Sequence, residues 1–248
     1  METQIESRKN SPWLIDQGGS SLCGVAIVGY YLARGNFDVY KNFIKDMHLK
    51  GVGTFNNTNY TIEIDSDEHL LKYKSTDSRY PTKSGSNLPI DEIDYIFMLT
   101  IKDHLNFVWD YDPDNENSGG IIEGTTGLTL PNEVEKIFKK INGYYDVNNN
   151  TNLATSKWGG ASKNASELKE LLNNGNNIAL LINADNFQKN NKRIFTVPTH
   201  WVGLKSIIDN NANKEITVDV YTWSRKKTTW KLSYDAFEDG YFGYISGK

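Results

Sequence analysis

The sequence predicts an α+β fold with an antiparallel sheet. Three observations carry that expectation: apolar residues recur at helical spacing through the first two thirds, short apolar runs between polar turns fill the last third, and no βαβ alternation links the two. The chain has 248 residues, 38% hydrophobic and 12% aromatic, enough to bury a sizeable core. A single domain over 1–248, with a polar lead-in at 1–12 and a surface insertion at 50–127, is the expected organisation.

Each element has a local reason. From Ser20 or Ser21 to Ala33, residues Leu22, Ala26, Ile27, Tyr30 and Tyr31 follow helical spacing, with a serine placed to cap and Gly35 just beyond the end. A second helix is expected over Phe37–Leu49. The stretch Val52–Leu88 is polar and turn-rich, with a strand signal at Tyr60-Thr61-Ile62-Glu63-Ile64. Helical spacing returns over Ile90–Trp109, and an acidic, glycine-bearing loop follows at 110–127. Thr129 as a cap and Pro131 in the first turn open a helix to about Ile141. Another covers Ala165–Leu172 and stops at Asn173-Asn174-Gly175. Strands are expected at Ile178–Asn183, Thr199–Ile208, Ile216–Trp223, Thr228–Leu232 and Tyr241–Ile245. Asparagine clusters such as Asn148-Asn149-Asn150 mark connections, because Asn bonds locally to its own backbone and tolerates turn conformations.

Charge and composition narrow the function. With 31 acidic and 27 basic residues the net charge is −4, so the basic excess that offsets phosphate repulsion is missing and a nucleic-acid partner is not expected. Apolar stretches such as Ile178–Ile182 fall far short of the roughly 20 residues that span a bilayer. Residues Met1–Ser7 have neither a basic n-region nor an apolar h-region, so ordinary secretory export is not expected. The single cysteine allows no intrachain disulfide and no multi-cysteine zinc site; it is a buried hydrophobe or a reactive thiol. No metal or cofactor is expected either. Asp110-Tyr111-Asp112-Pro113-Asp114-Asn115 imitates half a calcium loop, but Asn115 replaces the turn glycine and Ile121 stands where the bidentate Glu belongs. Gly18-Gly19 and Gly119-Gly120 lack the Lys-Ser/Thr continuation of a phosphate loop. The run Arg225-Lys226-Lys227 reads as a solvated hairpin tip or as a contact for an acidic target.

The chemistry centres on Gln17-Gly18-Gly19-Ser20-Ser21-Leu22-Cys23-Gly24. This run puts the only thiol in the first turn of the most clearly marked helix, where unsatisfied N–H groups and the helix dipole favour a thiolate and can face an oxyanion. Gln17, upstream of a Gly-Gly-Ser-Ser turn, can fold back and offer a side-chain N–H to the same anion. A thiolate nucleophile needs an imidazole. His48, His69 and His104 read as surface or boundary residues, whereas His200 begins the apolar strand His200-Trp201-Val202-Gly203-Leu204. A hairpin centred near residue 211 would set His200 across from Thr222, whose hydroxyl or backbone carbonyl could orient the ring under Trp223. Asp219 is the stronger acceptor, but it sits three residues, about 10 Å, off that register. The third member stays open between Thr222 and Asp219.

Taken together, Gln17, Cys23-Gly24 opening a helix, His200 opening a strand and a hairpin ending in Trp223 resemble the papain-like cysteine hydrolase superfamily. Its chain order is oxyanion Gln, nucleophilic Cys, His, then Asn or Asp before a Trp. Only these short segments match. Cys23 continues into Gly24-Val25-Ala26 instead of the Cys-Gly-Ser-Cys-Trp run, and Thr222 stands where Asn is usual. The separation of Cys23 from His200 also exceeds the roughly 130–150 residues of papain and cathepsins. Ser-Leu-Cys-Gly with Thr-His-Trp-Val-Gly-Leu is more similar to papain-like domains of bacterial toxins and secretion-system effectors, which include proteases, amidases and glutamine deamidases.

The resemblance implies a papain-like fold and hydrolysis of an amide through a thioacyl intermediate. The substrate would be a protein, a peptide or peptidoglycan. It also implies an effector delivered without an ordinary signal peptide, or otherwise a cytoplasmic protein, and a cognate immunity or inhibitor protein. The rival expectation is a catalytically silent papain-like interaction module using surface aromatics, drawn from 14 Tyr and 6 Trp.

Overall fold

The computed structural model describes residues 1–64, 75–76, 80–105, 129–156, 160–190 and 196–248. His69, the calcium-like run, Gly119-Gly120, the last turn of the Ile90–Trp109 helix and all of the acidic loop at 110–127 lie outside the described residues. The chain divides into two compact units, Met1–Gly143 and Tyr144–Lys248. Helices combined with antiparallel strands make the class α+β, as expected. Among the described residues no helix is long and apolar enough to cross a membrane.

The first unit is mainly helical. It contains α1 (Glu2–Asn10), α2 (Cys23–Gly35), α3 (Phe37–Lys50), the hairpin β1 (Val52–Phe55) and β2 (Tyr60–Glu63), α4 (Glu92–Leu105) and α5 (Pro131–Ile137). Every residue of α2 from Cys23 to Ala33 is buried, as befits a helix apolar on all faces. α3 is instead amphipathic, burying Val39, Tyr40, Phe43, Ile44 and Met47, and it ends where Gly51 takes the left-handed C-cap conformation. Phe43 stacks on Phe55 at 4.1 Å and meets Phe97 edge-on at 5.8 Å, which ties α3, the hairpin and α4 together.

Three expectations need correction here. The 1–12 lead-in is helical over Glu2–Asn10, where Arg8 is buried against Asp94 of α4 and Asp91 just before it and Ile5 is fully buried. Within the 50–127 stretch expected to be surface elaboration, α4 buries ten consecutive residues, Ile93 to Lys102, and belongs to the core. The N-cap of α5 is Leu130, not Thr129. The Glu133 carboxylate reaches back to accept from Leu130 N at 2.6 Å, and Lys102 Nζ lies 3.1 Å from it. A π-helical turn, Phe138–Asn142, extends this helix to about the expected end.

The buried polar centre of the unit is Asp94, whose side chain is fully enclosed. Its Oδ2 accepts from Arg8 Nη2 at 2.5 Å and from the Asp16 backbone N–H at 3.0 Å, and its Oδ1 accepts from Arg8 Nε at 3.2 Å. Arg8 Nη2 also reaches Asp91 at 2.8 Å. Burial pushes the Asp94 carboxyl up to about 6, while the guanidinium pulls in the other direction.

The second unit is built on a six-stranded antiparallel sheet in the order β3-β8-β4-β5-β6-β7. The strands are β3 (Val147–Asn149), β4 (Asn177–Ile182), β5 (His200–Asn210), β6 (Glu215–Thr222), β7 (Arg225–Ser233) and β8 (Tyr241–Gly247). One face carries Ile178, Leu180, Ile182, Val202, Leu204, Ile216, Val218 and Val220. It packs on Ala161, Ala165 and Leu168 of α6 (Ala161–Asn173), Phe187 of α7 (Ala184–Lys189) and Phe237 of α8 (Tyr234–Gly240). The five expected strands are present within a few residues of their ends. β3, α7 and α8 were not foreseen, and α6 starts four residues before Ala165.

Removing one partner of a buried ion pair strands the other charge. Asp94→Asn should therefore destabilise the protein by about 3–5 kcal/mol in urea unfolding. Arg8→Met combined with Asp94→Leu should recover part of that loss, since no enclosed charge is then stranded: the Asp16 N–H loses its acceptor, while Asp91 keeps Lys83 at 2.7 Å.

Candidate functional site

In the first unit, the segment leading to Cys23 is fixed by turn chemistry. Asp16 Oδ1 accepts from Gly18 N at 2.9 Å and from Ser84 Oγ at 2.8 Å, and its Oδ2 accepts from Ser84 N at 3.1 Å. Residues Gln17–Ser20 then form a tight turn in which Ser20 N bonds Gln17 O at 3.3 Å and Gly18 takes φ +62°. Positive φ at the first central position is the type II′ pattern that glycine fills. Space demands glycine as well, because a Cβ at Gly18 would stand 2.2 Å from the Thr82 carbonyl oxygen. Gln17 Nε2 donates to Ser20 O at 2.7 Å, and Ser20 Oγ donates to Gln17 O at 2.5 Å. The two side chains thus clamp the turn that precedes α2.

Cys23 is the first residue of α2 and is 2% exposed. The expected serine cap is absent: Leu22 occupies the N-cap without a side-chain bond, since Ser20 is committed to the Gln17 turn. Leu22, being apolar, gives the first turn of α2 no side-chain cap bond of its own.

In the second unit, His200 opens β5 beside Ile182 at the end of β4. Its approach is fixed locally. Asn183 caps α7, accepting from Asn186 N at 3.0 Å, and its Nδ2 donates to Val197 O at 2.8 Å. Thr199 N bonds Ile182 O at 2.9 Å. His200 is 5% exposed, and its Nε2 lies 2.6 Å from Thr222 Oγ1. Trp223 stacks on the imidazole with ring centroids 4.7 Å apart and planes 9° apart. Trp223 and Ser224 form the two-residue loop between Thr222 and Arg225, both at positive φ. This is the type I′ pattern usually given to Asn-Gly.

The contact with Thr222 is made by a different register from the one expected. The β5–β6 pairing sets Asn210 against Glu215 and slips by one residue between Leu204 and Ser206. The ladder ends with Gly203 opposite Tyr221, so His200 and Thr222 are diagonal neighbours on one sheet face, still within side-chain reach. Asp219 is opposite Ser206 and engaged elsewhere. Burial works against its ionisation. Thr229 Oγ1 at 2.6 Å, Lys227 Nζ at 2.9 Å and Ser206 Oγ at 2.7 Å outweigh that and hold its carboxyl below the ordinary value. Of the two residues left open for this role, it is Thr222 that touches His200.

Burial lowers His200 to about 3, so the ring is neutral at physiological pH in the protein as it stands. Two other histidines have ring or charge contacts away from this pair. His48 Nδ1 is 3.7 Å from Glu92, and His104 meets Tyr60 edge-on at 5.6 Å. Among the described residues no group of His, Cys, Asp or Glu is arranged to hold a metal ion. Sequence reasoning missed Asp16. Its signal was an Asx residue two positions before a glycine, the pattern of an Asx turn. No protein-family model matches the chain, and no curated protein sequence does.

The His200 shift gives a pH dependence with a definite sign. Its folded value lies below the unfolded value near 6.5, so the unfolded chain binds more protons between those limits and stability falls as pH drops from about 6.5 toward 3. Urea unfolding should show a loss of up to about 1.4 kcal/mol per pH unit in that window. Subtracting the profile of His200→Asn should isolate this component, because carboxyls such as Asp94 contribute equally to both proteins.

Proposed function

We propose that the protein is a papain-like cysteine hydrolase that cleaves an amide bond. The observation that carries the reading is the 2.6 Å bond between His200 Nε2 and Thr222 Oγ1 under the Trp223 ring, which fixes one face of a buried imidazole. With Nε2 held by an uncharged hydroxyl, Nδ1 is the nitrogen that can exchange a proton with a thiol. The chemistry requires that nitrogen to meet Cys23 Sγ. Cys23 thiolate attacks the amide carbon. The backbone N–H of Cys23, with the second Nε2 hydrogen of Gln17, stabilises the oxyanion. The imidazolium of His200 protonates the leaving amine, and water then hydrolyses the thioester. A hydroxyl partner suits this cycle because it can accept from Nε2–H or donate to Nε2 as the ring changes state.

A peptide bond, a peptidoglycan cross-link and a glutamine side chain all present the required carbonyl. The likeness to toxin and effector domains supports a role in another cell, with an immunity or inhibitor protein as partner. A silent interaction module is the competing reading, favoured by the burial of Cys23 at 2% and His200 at 5%.

Labelling by iodoacetamide at pH 6 separates them. A hydrolase should alkylate at Cys23 faster than a model peptide thiol, and His200→Ala should slow it by about 10²-fold or more. Thr222→Val should slow it less, with Thr222→Ser restoring the rate. Labelling no faster than the model thiol, and unchanged in His200→Ala, would overturn the hydrolase. On expression in a susceptible host, toxicity should disappear with Cys23→Ser.

A further inference from the structure

We propose that the first unit holds a ligand site of its own, a cleft lined by α1, α3, α4 and the loop before α4 that takes a small arylalkylamine. The site goes beyond the hydrolase reading, since none of Gln17, Cys23, His200 and Thr222 lines it. The cleft holds about 770 Å³, which falls within the roughly 300–1,000 Å³ of pockets that bind small molecules. Its floor is made of core side chains: Met47 of α3 and Ile96 and Leu99 of α4 are buried. Tyr80 lies flat on Tyr95 of α4, with ring centroids 4.3 Å apart and planes 17° apart, so the two form one aromatic wall. The loop that carries Tyr80 is braced by its own bonds. Lys83 N bonds Leu88 O at 2.7 Å, Ile90 N bonds Pro81 O at 2.9 Å, and Ser84 Oγ donates to Asp16 at 2.8 Å. A wall fixed in this way stands before any ligand arrives, which spares the cost of ordering it on binding.

The polar groups of the lining select the head of the ligand. Asp91 is already committed, to Arg8 at 2.8 Å and Lys83 at 2.7 Å. Glu92 is held loosely: His48 Nδ1 stands 3.7 Å away, beyond hydrogen-bond range, and the carboxylate side chain is half exposed. Gln4 of α1, half-buried at the same cleft, carries an Oε1 that is buried without a hydrogen-bond partner, an acceptor that a ligand N–H would satisfy once the amide turns toward it. Among the described residues that line the cleft there is no Lys or Arg, so an anionic head would meet the Glu92 carboxylate with no lining cation to hold it. Burial first, then Tyr95 and nearby acids that include Glu92, raise the Tyr80 phenol above its ordinary value, the direction expected beside a negative wall. An ammonium is the complementary head, and the aromatic wall suits a flat ring as the body.

Calorimetric titration of the full chain with tryptamine, tryptophol and indoleacetate separates body from head, because the three share an indole ring and differ in charge. At low ionic strength tryptamine should bind saturably and about fivefold tighter than tryptophol, with indoleacetate the weakest. Glu92→Gln, at a half-exposed position, should remove most of the advantage of tryptamine and leave tryptophol unchanged. Ile96→Trp should abolish saturable binding of all three by filling the cleft, with thermal unfolding run alongside to show that the variant is folded. If it is not, Glu92→Gln still decides. Absence of saturable binding, indoleacetate bound as tightly as tryptamine, or affinities unchanged in Glu92→Gln overturns the proposal. So does full binding by a folded Ile96→Trp, which places the ligand elsewhere. Cys23→Ser should bind tryptamine with the parent's affinity, so failure of the hydrolase reading leaves the cleft in place; loss of binding in that variant puts the amine at the thiol and overturns the proposal.

Discussion

The geometry around Cys23 depends on one enclosed carboxylate. Asp94 takes two bonds from Arg8 and one from the Asp16 amide, and Asp16 in turn orders Gly18 and Ser84. Gly18 can then take a left-handed turn against the Thr82 carbonyl, and the Gln17–Ser20 clamp delivers the chain to the start of α2. Apolar packing alone would leave such a turn several arrangements of similar energy. A satisfied polar network in a low-dielectric interior favours one, because every other arrangement leaves a buried charge or N–H without its partner.

The second unit solves a different problem, which is how to hold an uncharged imidazole at the end of a sheet. His200 shares a face with Val202 and Val220, whose burial fixes the strands, and Thr222 is the polar residue at the same end of that face. A carboxylate in Thr222's place would attract a proton onto the ring and stabilise the imidazolium by direct charge. The hydroxyl orients the ring without that bias, which agrees with burial holding His200 neutral.

The sequence was most legible where periodicity and burial coincide. α2, α3 and the five main strands could be read because their apolar residues keep a helical or two-residue period and their ends carry Gly or Asn. α1 could not, since it buries only Ile5 and Arg8, and only the distant Asp94 makes burial of the arginine favourable. α7 and α8, of six and seven residues, are too short to show a period and are announced only by their caps, Asn183 and Ser233. The partner of His200 was legible for an approximate reason. Symmetry about residue 211 named Thr222, whereas the actual pairing is shifted and slips once, and diagonal reach on the same face restores the contact. A one-residue slip elsewhere would have reversed the face and lost it.

The Trp223-Ser224 turn shows what that arrangement costs. Both residues hold positive φ, and a bulky side chain there is disfavoured by about 1–3 kcal/mol. Asn-Gly would close the same hairpin without that strain. What Trp223 gains is a stack on His200 at 4.7 Å and an edge-on contact with Trp230 at 6.1 Å, which in turn meets Phe187 at 5.6 Å. Aromatic pairs of this kind contribute about 0.5–1.5 kcal/mol each beyond their area, so they offset the strain. The hairpin thereby trades an easy turn for a cover that keeps water from the bond between imidazole and hydroxyl. A hydrogen bond shielded in this way is stronger and more directional than one in solvent. The same turn also sets the direction of the next residue. Because the two-residue loop folds Trp223 inward, Arg225 can pair directly with Thr222, so the conformation that protects the imidazole also closes the β6–β7 ladder at the residue that holds it.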